Sequence, residues 1–299
     1  MRVIVSVLLM FALFAGMSFT TTAQDRLVVS SSFTIVYDFV QQVGGDRIDH
    51  RLIVPLDAEV HEWELLPRNF VDLEETAVFF YNGLRLEEWV PQAEAILDPR
   101  SLLVPLGEVV DVDYLRIAIG EQQGDLDPHV WMNPIHVIAY VDVIADVLSE
   151  MDPEHEAYYR SNAEGYQNEL RALDADLHEI FGAIPEQQKI LITSEAAFLY
   201  FSAAYGFVHD GIWGTNAEEE GTPQQIVRIL NVIEEYEPAA IFWESTISDR
   251  YVQAVADDTG LPVQGPLYVD SLSSPGTSGD SYLNFMRHNA NLIVTALGL

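Results

Sequence analysis

Two histidines and two acids stand where the pattern of this sequence lets side chains meet in a cleft. His61 follows the β-branched run Arg51–Leu56 by way of Asp57-Ala58-Glu59-Val60, and Glu195 comes directly after Lys189–Ser194. Asp270 follows Pro262–Leu267 by way of Tyr268-Val269, and His129 sits in Asp127-Pro128-His129-Val130-Trp131, ahead of a helix that Asn133 caps and Pro134 opens. In open α/β sheets ligands bind beyond the carboxyl ends of the strands, so all four residues face one cleft if these runs are such strands. Two imidazoles with two carboxylates suit a first-row divalent cation, and the oxygen donors tilt the choice toward its harder members. Spacing alone leaves the bland readings standing. The four are 68, 66 and 75 residues apart with no local pattern joining them, in a chain with 8 histidines and 47 acids. A histidine before a helix is also a capping or surface residue, and an aspartate after a strand is also a turn former.

The elements that would position these residues are strands alternating with helices. Leu27–Ser32, Arg51–Leu56, Ala77–Tyr81 and Ser101–Leu106 read as buried strands, with a helix over Thr34–Val43 ending at Gly44-Gly45. Lys189–Ser194, Ala239–Glu244 and Pro262–Leu267 form a second set. A helix between them starts at Thr222-Pro223-Gln224-Gln225, where Thr222 caps and Gln225 completes a capping box. Alternation of this kind means α/β lobes with mostly parallel sheets flanked by helices. Between the sets, Asp152 caps a helix that Pro153 opens and Gly182 closes, with Tyr159, Tyr166, Leu170, Leu173, Leu177 and Ile180 as one apolar stripe. The expected organisation is a first lobe over 24–152, one long rigid linking helix over 153–182, and a second lobe over 183–299, with the site in the cleft between lobes.

Composition narrows the function classes. The chain has 299 residues and no cysteine, which excludes disulfides, cysteine zinc sites, thiol nucleophiles and iron–sulfur clusters. Its formal net charge of −33 argues against binding nucleic acid, since phosphate contacts need clustered Lys and Arg. Arg2, the apolar run Val3–Phe19 and the small residues Thr21 and Ala23 read as a secretory signal peptide, residues 1–23, cut after Ala23. Lipid anchoring of an exported protein needs a cysteine at the cut, so the expectation is a periplasmic or otherwise extracytoplasmic protein, soluble once cleaved.

An ordered set of motifs from Leu27 to the C-terminus carries a resemblance to a known family. The set comprises Val54-Pro55-Leu56-Asp57-Ala58-Glu59-Val60-His61-Glu62-Trp63-Glu64, Phe80-Tyr81-Asn82-Gly83-Leu84, Asp127-Pro128-His129-Val130-Trp131, Thr193-Ser194-Glu195-Ala196-Ala197-Phe198, Trp243-Glu244-Ser245 and Gly265-Pro266-Leu267-Tyr268-Val269-Asp270-Ser271-Leu272. It resembles the cluster A-1 metal-binding receptors of ABC transporters, the TroA-like or ZnuA-like substrate-binding proteins. The resemblance implies one divalent ion held by His61, His129, Glu195 and Asp270, two from each lobe, and delivered to a membrane permease by a protein acting as a monomer. Many zinc-binding members have histidine at the third position, where this chain has Glu195, and often a histidine-rich loop, where this chain has no histidine between His61 and His129. The set therefore resembles the manganese-type receptors, with Zn(II) and Fe(II) as the other ions. Outside the matched positions, His50, His136, His155, His178, His209 and His288 read as surface or packing residues. Glu244 and Ser245 read either as groups orienting a ligand or as strand-end residues facing water. Glu218-Glu219-Glu220 reads as a solvated loop, or else as a patch that docks a permease or draws cations.

Two rivals remain: a secreted metallohydrolase, and an adhesin or scaffold with a structural metal. No H-E-x-x-H and no G-x-S-x-G occurs in the chain, which weakens the enzyme reading. Only two of the 47 acids serve the site, and the surplus beside a single lysine, Lys189, reads as surface adaptation to high salt. The folded state should then gain stability as salt screens its self-repulsion. Urea unfolding across a salt series tests this, and equal stability without added salt contradicts it.

Overall fold

The first half of the chain alternates strand and helix as the apolar runs require. It contains β1 (Leu27–Ser31), α1 (Thr34–Gly44), β2 (Ile48–Leu52), α2 (Pro67–Glu74), β3 (Val78–Tyr81), α3 (Val90–Glu94), β4 (Leu102–Pro105) and α4 (Leu106–Val109). Two long helices follow, α5 (Pro134–Met151) and α6 (Glu156–Gly182). The second half contains β5 (Ile190–Glu195), α7 (Leu199–Tyr205), β6 (Val208–Trp213), α8 (Pro223–Tyr236), β7 (Ile241–Glu244), α9 (Arg250–Thr259), β8 (Val263–Leu267) and α10 (Tyr282–Ala296). The computed structural model describes residues 26–120, 122–215 and 221–298, so the run 1–23, read above as a signal peptide, and the run Glu218-Glu219-Glu220 lie outside the described residues.

The strands form two four-stranded sheets, ordered β2-β1-β3-β4 and β6-β5-β7-β8, and every pairing in them is parallel. Both sheets reverse the direction of strand addition after their first strand, so a crevice opens beyond β1 and β3 in one and beyond β5 and β7 in the other. Parallel strands covered on both faces carry continuous apolar sequence, and all six residues of β5 are buried.

Some boundaries differ from the sequence reading. β2 begins at Ile48 rather than Arg51, yet Ile53 and Val54 still donate to the Ser31 and Ser32 carbonyls at 3.0 and 2.8 Å, so the apolar run continues the ladder past the strand. β5 includes Glu195 as its last residue. The edge strand β6 was not legible, because Val-His-Asp-Gly-Ile-Trp neither alternates nor forms an apolar run. Asn133 and Thr222 cap their helices as expected, and Thr222 with Gln225 forms the capping box. Asp152 does not cap. A 3-10 turn over Pro153–His155 precedes α6, and the Asp152 carboxylate instead accepts from Tyr159 Oη at 2.8 Å and meets His155 Nδ1 at 2.7 Å.

The 27 residues of α6 make a rod about 40 Å long. Tyr159, Tyr166, Leu170, Leu173 and Leu177 are buried along it, but the stripe ends on Phe181 rather than the half-buried Ile180. Four residues beyond Leu177 return to the same helix face, and the Phe181 ring fills a space between Phe201, Tyr205 and Phe207. α6 packs against α1, α5, α7 and α10. One apolar core consequently runs from the first sheet through α1, α5, α6 and α10 to Leu191, Phe242 and Leu267 of the second sheet. A separate core lies under α8 and α9, around Ile192, Ile212, Ile229 and Val252.

The last helix returns to the first lobe. Tyr282 at the start of α10 donates its N–H to Asp38 of α1 at 2.9 Å and its hydroxyl to the Trp131 carbonyl at 2.7 Å. Among the described residues, no helix is long and apolar enough to cross a membrane. Leu170→Ala should cost about 2–5 kcal/mol, since it empties space in the core that α6 shares with its neighbours. Urea unfolding measures it, and a loss under about 1 kcal/mol would contradict this packing.

Candidate metal centre

Each of the four predicted residues arrives at the cleft from a different element. His61 lies in the long connection from β2 to α2, and its N–H is held by Glu59 Oε1 at 2.7 Å while its carbonyl accepts from Glu88 N at 3.1 Å. His129 precedes a 3-10 turn, Val130–Met132, that leads into α5. Glu195 ends β5, and Asp270 follows β8. All four are buried.

The structure brings His61, His129 and Glu195 into one cluster, which Asp270 joins at His129. His61 Nε2 is 3.7 Å from Glu195 Oε1, and His129 Nε2 is 3.9 Å from the same oxygen and 3.7 Å from Asp270 Oδ1. His61, His129 and Glu195 offer atoms within 4.8 Å of one another. The buried side-chain atoms with no hydrogen-bond partner include one from each residue: His61 Nε2, His129 Nε2, Glu195 Oε1 and Asp270 Oδ1. Unpaired buried polar atoms are costly, and one on each of four neighbouring residues is unusual. Tetrahedral donors about 2.1 Å from a central ion lie about 3.4 Å apart, shorter than the 3.7 and 3.9 Å of the pairs here. The other six histidines sit elsewhere, His50 stacked on Tyr37 at 3.9 Å and His209 bonded to Thr193 Oγ1 at 2.9 Å. Burial pushes both of these down to about 3, so they stay neutral.

Neighbouring groups fix the donors. Asp127 Oδ1 accepts both the His129 N–H, at 2.8 Å, and the Nδ1 proton, at 2.9 Å. A carboxylate accepts only, so Nδ1 carries the proton and Nε2 turns its lone pair to the cluster. Sequence reading quoted Asp127 without giving it a role, although an acid two residues before a histidine was the available signal. Asn82 holds the same loop, donating Nδ2 to the Pro128 carbonyl at 3.0 Å. Glu244, one of two readings left open above, accepts from the Ser194 and Glu195 N–H groups at 3.2 Å each.

The loop bearing Asp270 is tied largely to the first lobe, which the two-and-two expectation did not foresee. Trp131 Nε1 donates to the Val269 carbonyl at 3.1 Å, Asp57 N to Ser271 Oγ at 2.9 Å, and Leu272 N to Thr34 Oγ1 at 2.9 Å. Asn289 of α10 clamps Tyr268 from behind through its N–H and carbonyl, at 2.9 and 2.7 Å. Glu195 is held within its own sheet, by Glu244.

Acids crowd this space. Burial, then the charges of Asp270, Glu59, Glu244 and Asp127, holds the Glu195 carboxyl well above the usual range. Burial raises Glu59, with Asp270 adding to the shift, and pushes Glu244 up to about 7. At His129 burial favours the neutral ring, but Asp127, Asp270 and Glu59 outweigh it and the net shift is upward. Each shift records negative charge in a dry place, which a cation would relieve.

Fold and geometry together define a two-lobed α/β protein of the substrate-binding class, with these four residues at its crevice. The chain belongs to the family described as the periplasmic component A of the zinc-uptake complex, ZnuA, which matches residues 29–296. It is 35% identical over 297 residues to the manganese-binding lipoprotein MntA of Halalkalibacterium halodurans, covering 98% of this chain and 97% of that one. It is likewise 35% identical over 274 residues to the iron-binding protein YfeA of Yersinia pestis, covering 91% and 87%. The periplasmic zinc-binding protein TroA of Treponema pallidum superposes with a TM-score of 0.85 at 25% identity, covering 91% of this chain and 99% of that one. A Mn-bound periplasmic metal-binding protein of candidatus liberibacter asiaticus gives 0.83 at 25% identity, covering 91% and 100%.

Proposed function

We propose that this chain is an exported receptor that binds one divalent transition-metal ion between its lobes and delivers it to an ABC permease. His61, His129, Glu195 and Asp270 are the donors. The observation that carries the reading is the set of four buried atoms without partners, one from each residue, linked by approaches of 3.7 and 3.9 Å. Relatives named for manganese, iron and zinc support the cargo class.

Mn(II) is the preferred ion on this reading. Two nitrogen and two oxygen donors without sulfur favour the harder divalent ions, though Mn(II) binds most weakly in the divalent series and Zn(II) competes in vitro. Selectivity then rests on geometry and on which metal the surroundings supply. Four protein donors differ from the three donors and open water position typical of catalytic zinc, which supports carriage over hydrolysis. Export as a soluble protein rests on the N-terminal apolar run and the lack of a cysteine for lipidation. A division at 24–152, 153–182 and 183–299 is our reading, supported by two separate sheets and one long helix.

Ions that bind only the folded state stabilise it by RT ln(1 + [L]/Kd), about 2.7 kcal/mol at one hundred times Kd. Asp270→Ala should abolish most of the Mn(II)-induced rise in melting temperature, read by differential scanning fluorimetry; an undiminished rise would sink the assignment. Protons compete with the ion at His129 and at Glu195, and both groups are shifted upward. Affinity should therefore climb with pH through neutrality and weaken by about tenfold or more from pH 7.5 to 5.5. Isothermal titration with Mn(II) checks this, and a Kd constant over that range would contradict it.

A further inference from the structure

Glu244 is one of the buried acids that the proposed site does not use as a donor, and its contacts are unusual for a strand residue. It is the last residue of β7, the strand between β5 and β8. β5 and β7 are in register only at Ile192 and Ile241, so the ladder between them is already open where β5 approaches the site. Successive N–H groups of a regular strand point to opposite sides. At the end of β5 the N–H groups of Ser194 and Glu195 instead both meet this one carboxylate, each at 3.2 Å and each on a different oxygen. The side chain thus supplies acceptors that the neighbouring strand does not.

The backbone of the same residue faces the other way. Glu244 is in register with Leu267 of β8, and Ser245 N donates to the Leu267 carbonyl at 2.9 Å. Leu267 lies three residues before Asp270. One residue therefore links the strand end that carries Glu195 to the strand from which Asp270 departs. The first lobe repeats the device independently. There Glu87 takes the N–H groups of Asn82 and Gly83 at 2.8 and 3.0 Å, together with Ser32 Oγ at 2.8 Å, and Asn82 in turn holds the carbonyl next to His129.

We propose that Glu244 is a positioning residue whose carboxylate fixes the end of β5, so that the Glu195 oxygen meets His61 and His129, and thereby sets the affinity and coordination geometry of the bound ion. This inference rests on the metal-receptor reading. A carboxylate with two acceptor oxygens is required, because the amide of glutamine turns one of them into a donor facing a backbone N–H. Loss of such supporting contacts typically costs a metal site 10–100-fold in affinity.

The test titrates Mn(II) by calorimetry and records the visible absorption spectrum of bound Co(II) in wild type, Glu244→Ala, Glu244→Gln and His61→Ala. The expected result is an Mn(II) Kd raised about 10–100-fold in Glu244→Ala, a smaller rise in Glu244→Gln, and displaced Co(II) bands in both. A role confined to stability would lower the melting temperature of the metal-free protein and leave the Co(II) bands in place. If Glu244→Ala does not fold, Glu244→Gln alone decides. A Kd within about twofold of wild type and superimposable Co(II) spectra overturn the positioning role, provided His61→Ala has lost binding. Retention of wild-type affinity by His61→Ala overturns the metal-site reading and this inference with it.

Discussion

Negative charge held out of water at a single point is the constraint around which the molecule is arranged. Glu195 and Asp270 bring carboxylate oxygens to the cleft, with Glu59, Glu244 and Asp127 close behind, and Glu195, Glu244 and Glu59 are all shifted toward the protonated form. Such a cluster is stable only when each oxygen has a donor or when a cation shares them. Most of these oxygens do have donors: Glu244 has two backbone N–H groups, Glu59 has one, and Asp127 has His129. The atoms left over include Asp127 Oδ2 and one atom each of His61, His129, Glu195 and Asp270. A cation placed among them would repay part of the cost of keeping them dry.

Holding those atoms still is the work of the scaffold. Parallel sheets place strand ends at the crevice, but a sheet alone does not orient loops as long as those carrying His61 and His129. Polar contacts take over there, from the Asp127 and Asn82 side chains behind His129 and from the Glu59 carboxylate and Glu88 N–H at His61. The common core along α6 ties the two sheets to one apolar mass, so the crevice lies between bodies that are joined rather than merely adjacent. Burying that core offsets the cost of keeping so many polar groups dry nearby.

Much of this was legible in the sequence, for identifiable reasons. Apolar runs gave β1, β3 and β7 closely, because mostly buried parallel strands have little polar face to blur the pattern. Thr222-Pro223-Gln224-Gln225 gave a helix start, since capping chemistry is local. β6 escaped because an edge strand can include His209 and Asp210 without breaking an apolar alternation that its neighbours require. Asp152 misled because it resembles a cap, yet its carboxylate is engaged by Tyr159 and His155. The four donor positions were named from strand ends and an ordered set of motifs. The contacts behind them join residues as distant as Asp57 and Ser271 or Trp131 and Val269, and no local pattern encodes such pairs.

The tethering of the Asp270 loop has a consequence best put in the language of chelation. His61 and His129 belong to the first lobe, and Asp270 is bonded to that lobe through Trp131, Asp57 and Thr34. Three residues of the proposed set are thus attached to one body, while Glu195 rides on the other. Ordering three of four arms in advance removes most of the entropy that an open-chain chelator loses when it wraps an ion. The fourth arm then acts as an intramolecular ligand whose effective concentration is set by how far the second sheet stands from the first. Tightness and release become a matter of one carboxylate's distance, and the stiffness of α6 limits the range that distance can take.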